Sequence, residues 1–304
     1  MEHYSIHLHN PSAKYLPNSF ITGDLIIKNQ EPLGIQSINI LFLGESNVCF
    51  SVYSARAVHF EKMEQLWIGE RIILPGTHHF QISSQLPSQC PPSFEGKHGS
   101  IRYKIQVEIL KADNKPKVQL DRDFYVLPSP SAISQIVPVQ KTKSIFYRRF
   151  IEEEKELKIQ ASAPKTGYVA GEIIPITIWI KNFTDLSIKS ISLRLVRCTV
   201  YLVPPREETE QETVLEFRKY TEIRSGVHTS KLVVPKKIIQ SFVSEIIQVN
   251  YMVLMEFDLN TQKEEERKME IELPVMIGSS VGAPRGPPSY TEVVIEEPPP
   301  RYQD

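Results

Sequence analysis

Strict alternation of apolar and polar positions dominates the chain, and the 3.6-residue period of an amphipathic helix is nearly absent. The clearest run is Ile101, Tyr103, Ile105, Val107 and Ile109, with Arg102, Lys104, Gln106 and Glu108 between them. Successive side chains on a strand point to opposite faces, so this run predicts a strand with one face in a core and the other in water. Ile247 to Phe257 repeats the pattern, with Met252 and Leu254 making its second face mixed. Ile174, Ile176, Ile178 and Ile180 alternate with Pro175, Thr177, Trp179 and Lys181. Proline lacks the N–H that a ladder needs, which places position 175 at an edge or a strand start. Shorter candidates run from Ile38 to Leu43, Phe124 to Leu127, Ile191 to Leu195 and Met269 to Leu273. Turn-forming residues separate these runs, so the pattern predicts an all-β chain built as two antiparallel, immunoglobulin-like β-sandwiches.

The chain also repeats itself. At an offset of 153 residues, Asn18 to Leu43 aligns with Gly171 to Val196 without a gap, and Lys28-Asn29 falls on Lys181-Asn182. Leu33 falls on Leu186, Ile35 on Ile188 and Ser37-Ile38 on Ser190-Ile191. A shared apolar pattern alone does not put the same Lys-Asn pair at the same turn, so the two halves read as related domains in tandem. Prolines and serines from Pro128 to Ser131 interrupt the strands, and the charged run Glu152 to Glu156 precedes the second copy. The predicted organisation is a sandwich over 1–130, an interdomain linker over 131–156, a second sandwich over 157–278 and a disordered tail over 279–304. The tail holds six prolines in 26 residues and few large apolar side chains, too little apolar surface to fold alone.

Composition narrows the function. The 304 residues are 41% hydrophobic and 23% charged, ordinary for a globular protein. A net charge of −1 gives no overall attraction to nucleic acid or anionic lipid. Three scattered cysteines do not make a disulfide framework; with no secretory leader or membrane-spanning stretch in the sequence, the expected location is the cytoplasm. Catalytic motifs are absent: there is no phosphate-cradling glycine loop, Gly-x-Ser-x-Gly, His-Glu-x-x-His or Cys-x-x-Cys, so a non-enzymatic role with no cofactor and no metal is expected. His7 and His9 share a strand face but lack a third ligand, and Cys198, in a strand-like run, reads as a structural thiol. Lys141, Lys143, Arg148 and Arg149, interleaved with Phe146, Tyr147 and Phe150, are candidate membrane-facing residues. The simpler reading of that stretch is an interdomain segment whose aromatics seal a hinge, because Glu152 to Glu154 follow at once and offset its charge.

The tail carries the sharpest chemistry. Pro287-Pro288-Ser289-Tyr290 and Pro299-Pro300-Arg301-Tyr302 are two copies of the Pro-Pro-x-Tyr ligand of WW domains. Adjacent prolines hold φ near the polyproline II value, so the segment loses little entropy when its rings enter an aromatic-lined groove. The tyrosine fills a second pocket and fixes direction. In so proline-rich a tail, about one tyrosine in twenty would meet the pattern by chance. Both tail tyrosines meet it.

Several segments resemble the arrestin-domain-containing proteins, the α-arrestins, over nearly the whole chain. They are Gly23 to Ile27 with Ile38 to Gly44; Leu74-Pro75-Gly76 to Phe80, Leu86-Pro87 and Pro92 to Tyr103; and Gly167 to Ile174 with Leu273 to Gly278. Where the family usually has Pro-Gly-Glu before the second strand, this chain has Pro17-Asn18-Ser19, and asparagine can take the positive φ of the glycine. The resemblance implies two sandwiches that hold a membrane receptor or transporter, and a tail that brings a HECT-type ubiquitin ligase through its WW domains for ubiquitination, endocytosis and sorting. It implies recruitment to the plasma membrane and endosomes, through cargo and without nucleic acid. A retromer- or coat-type trafficking subunit and a receptor-desensitising arrestin are the alternatives. The first would not need the tail motifs, and the phosphate-sensing charge network of the second has no counterpart in the sequence.

Overall fold

A computed structural model describes residues 2–112, 116–129, 137–147, 153–261 and 267–279. The first half contains β1 (His3–Leu8), β2 (Lys14–Tyr15), β3 (Phe20–Asn29), β4 (Leu33–Phe50) and β5 (Tyr53–Ile73). It continues through β6 (Gly76–Gln85), β7 (Phe94–Glu95), β8 (Gly99–Lys111) and β9 (Val118–Val126). The second half contains β10 (Val139–Tyr147), β11 (Lys155–Ala163), β12 (Gly167–Val169), β13 (Ile173–Asn182) and β14 (Ile188–Val203). It ends with β15 (Arg206–Ile223), β16 (Gly226–Val233), β17 (Phe242–Val243), β18 (Ile247–Leu259) and β19 (Lys268–Gly278). Among the described residues there is no helix, and the fold is all-β.

Each half is a sandwich. In the first, a three-stranded sheet β1-β3-β6 stands with a six-stranded sheet β2-β9-β8-β4-β5 that carries β7 on β8. In the second, a four-stranded sheet β10-β11-β13-β16 stands with β12-β19-β18-β14-β15, which carries β17 on β18. The order is the same once β10 is set aside. Even the two parallel pairings, β2 with β9 and β12 with β19, recur at the same place.

The repeat holds at single residues. Asn18 has φ +67° and Gly171 has φ +83°, at matching positions. In both copies the turn closes by the same hydrogen bond, Ser19 N to Leu16 O at 3.1 Å and Glu172 N to Val169 O at 3.0 Å. Asparagine thus takes the left-handed conformation that the first turn requires, where glycine takes it in the second. At the Lys-Asn turns the carboxamides replace missing backbone partners: Asn29 Nδ2 donates to Glu31 O at 2.8 Å and Leu74 O at 3.0 Å, and Asn182 Nδ2 donates to Leu186 O at 2.6 Å.

The alternating runs are core strands. Ile101, Ile105 and Ile109 in β8 are fully buried, as are Val249, Val253 and Phe257 in β18. Pro175 is the third residue of β13, which is an inner strand and not an edge; the ladder to β11 stops at Thr177, so no bond is lost on that side. The segment read as linker over 131–156 needs a larger correction. Val139–Tyr147 is β10, paired antiparallel with β11 from Val139↔Ala163 to Tyr147↔Lys155, and forms one edge of the second sandwich. Its alternation is weak because an edge strand buries little: Val139 is buried, while Lys141 and Lys143 are exposed.

Candidate interaction surfaces

The two sandwiches meet at the loop between β7 and β8. Tyr201, near the end of β14, is fully buried; its phenol reaches that loop beside Gly96 and donates to Glu210 Oε2 at 3.3 Å. Burial holds its pKa above that of an ordinary phenol, and the neighbouring Glu210 adds to the shift. The His98 ring stacks edge-on against Tyr201 at 5.3 Å, and Phe94 against Phe242 at 5.4 Å. Hairpin ends add a further contact, with the Arg206 guanidinium 4.8 Å from the centre of the Tyr53 ring. A Cβ on Gly96 would lie 2.2 Å from the Tyr201 hydroxyl oxygen, so glycine is the residue that lets the second domain dock.

Beside this junction, a bulge between Gly44 and Glu45 turns His59 of β5 toward Ser46 of β4, and His59 Nε2 and Ser46 Oγ hydrogen-bond. Burial lowers the His59 pKa, while Glu245 of the second domain acts in the opposite direction. The pair has the atoms of a nucleophile and its base, but Ser46 has 0% exposure and no substrate can reach it.

Lys141 and Lys143 line a groove of about 610 Å³ with Thr142, Cys198, Met252 and Pro274. Glu270 and Glu272 of β19 line the same groove, so the lysines meet carboxylates and not an unopposed basic surface. Arg148 and Arg149 lie outside the described residues. Of the aromatics read as sealing a hinge, Phe146 does not: it is 58% exposed on the outer edge, and Phe150 lies outside the described residues. Burial and the nearby Glu272 push the Cys198 thiol up, and burial pushes that of Cys90 up to about 11, which makes both poor nucleophiles. His9 pairs with Asp24 at 2.9 Å; among the described residues no three metal-ligating side chains gather.

The tail residues Pro287, Pro288, Tyr290, Pro299, Pro300 and Tyr302 lie outside the described residues. The junction built by Gly96, His98 and Tyr201 was not legible beforehand. In the sequence Gly96 and Gly99 read only as flanking a hairpin turn, which Gly96 N closes by donating to Gly99 O at 2.9 Å, with no sign of the partner in the other domain.

Comparison with known proteins agrees with this architecture. Residues 4–131 match the N-terminal domain of arrestin (or S-antigen), and residues 153–281 match its C-terminal domain. Human arrestin domain-containing protein 4 is 24% identical over 336 residues, an alignment that takes in 93% of this chain and 79% of that protein. Arrestin domain-containing protein B of Dictyostelium discoideum is 22% identical, over 82% of this chain and 43% of its own length. Arrestin domain-containing protein 15 of Caenorhabditis elegans is 24% identical, over 54% of this chain and 45% of its own length.

Proposed function

This chain belongs to the arrestin-domain-containing family, and we propose that it is a non-enzymatic adaptor whose tail recruits WW-domain HECT-type ubiquitin ligases to membrane-protein cargo. The observation that carries the reading is the pairing of an arrestin body with two Pro-Pro-x-Tyr motifs just beyond its last strand, at Pro287 to Tyr290 and Pro299 to Tyr302. Polyproline II recognition needs both the prolines and the tyrosine. The body serves a different purpose: docked by the Tyr201 contact, it presents broad sheet faces to a receptor or transporter. The adaptor works from the cytoplasm, reaching plasma membrane and endosomes through its cargo.

Replacing Tyr290→Ala and Tyr302→Ala together is expected to abolish pulldown by WW-domain ligases and to leave the melting temperature unchanged, because both positions follow the last strand, β19, in the sequence. Undiminished ligase capture by the double variant would sink the reading.

A further inference from the structure

The corner that joins β5 to β6 carries a group of uncovered aliphatic side chains. Ile68, Ile72 and Leu74 are 71%, 69% and 69% exposed, while Ile73 between the last two is buried. Ile72 and Leu74 thus flank a core residue, and both point to solvent. Ile68 lies one bulge earlier on β5, opposite Ser37. Across the sheet from Ile72 stand Gly34 of β4 and then Ala112, so Ile72 has the two smallest side chains beside it and rises above them. The internal repeat supplies a comparison. The second sandwich turns the same corner, with Gly226 at the position of Gly76 and the His228 ring bonded to Arg224 O as the His78 ring is to Leu74 O. There the residues at the positions of Ile72 and Leu74 are Glu222 and Arg224. The corner therefore forms without aliphatic side chains, and their presence in the first sandwich has a cause other than folding.

Position and size identify the partner. The corner is held in place: Asn29 Nδ2 donates to Leu74 O at 3.0 Å, and the His78 ring bonds to the same oxygen at 2.7 Å. Ordering it on binding therefore costs little. It lies at the end of the first sandwich far from the domain junction, since β4 runs from Gly34 beside Ile72 to Phe50 beside His98, about 50 Å of strand. The three side chains expose on the order of 400 Å², about half of the ~800 Å² that each partner of a stable protein pair buries. A bilayer, being fluid, closes around such projections without a complementary pocket. In the sequence of the corner Lys28 and Arg71 are matched by Glu31 and Glu70, so no net charge favours anionic lipid.

We propose that the β5–β6 corner inserts Ile72 and Leu74, with Ile68 beside them, into the apolar layer of a lipid bilayer. About twelve side-chain carbons enter, comparable with one acyl chain, which holds a protein only marginally and reversibly. The contact is therefore a second attachment and not an anchor. The insertion stands on the body alone. Its consequence rests on the adaptor reading: cargo supplies the first attachment, and the corner fixes how the body is turned toward the membrane.

Co-sedimentation of the full chain with phosphatidylcholine vesicles, over a lipid titration, tests the insertion. Partitioning is expected to weaken at least about tenfold in the Ile72→Glu/Leu74→Arg variant. That variant carries the second sandwich's own residues at solvent-facing positions and is expected to keep its melting temperature. Ile72→Trp keeps the corner apolar and is expected to bind at least as tightly as the native chain. Adding phosphatidylserine to the vesicles is expected to change little. Equal partitioning of the native chain and the double variant overturns the proposal, as does binding seen only with phosphatidylserine. Self-association of the native chain without vesicles, lost in the double variant, also overturns it, in favour of a second copy on the same corner. Because no ligase or cargo is in the sample, failure of the adaptor reading leaves this result unaffected.

Discussion

Gly96 and Tyr201 lie in different sandwiches, yet each limits the other. A Cβ on Gly96 would sit 2.2 Å from the Tyr201 hydroxyl oxygen and 2.6 Å from Cε1 of Phe94. Overpacking of this kind costs about 1–3 kcal/mol. Gly96→Ala is therefore expected to lower stability in the native background and to cost less in a Tyr201→Phe background, where the obstructing oxygen is gone. A double-mutant cycle by denaturant titration measures the coupling, expected at about 0.5–3 kcal/mol; strictly additive losses would mean that the two residues do not meet as described. Nothing near Gly96 in the sequence announces this constraint, because its cause lies in the other domain. Asn18 shows the opposite case. Its left-handed backbone is legible through the resemblance, which places Asn18 where the family usually has a glycine.

At the scale of elements, legibility follows burial. Strand β8 was readable because one face is buried and the other wet, so its sequence alternates cleanly. Ile105 is fully buried in it, whereas Gln106 faces out toward Asp121. Ile105→Asp places an unpaired carboxylate in the core and is expected to remove about 4 kcal/mol or more, while Gln106→Ser stays within about 1 kcal/mol. Thermal melts of the two variants decide it, and similar melting temperatures would contradict the strand phase. The long strands β5 and β15 stand at sheet edges and carry mixed charged and apolar residues, such as Glu207, Glu208 and Glu210 in β15. Edge strands need no clean alternation, so neither is legible in the sequence, and β10 reads as a linker for the same reason.

Taken as a molecule, the chain on the proposed reading separates two kinds of recognition. The body is a duplicated scaffold whose halves meet at the Tyr201 contact, and its duplication is legible in the Lys-Asn turns of the sequence. The outward position of Ile173, Trp179, Val227 and Val233 is not legible in the sequence, because telling an outward apolar residue from a core one requires the register of both strands. The tail stands at the other extreme, since its chemistry is written in short motifs that need no fold to be read. Those motifs are offset by 12 residues, and the chain between them extends to about 40 Å at most. On the proposed function, a ligase with adjacent WW domains engages both, the second site meeting its ligand at high effective concentration. Titration calorimetry of the full chain against a tandem WW protein tests this most directly. The adaptor account predicts binding at least about tenfold tighter for the intact chain than for Tyr302→Ala or Tyr290→Ala, and none for the double variant. Equal affinity across all four proteins would contradict it.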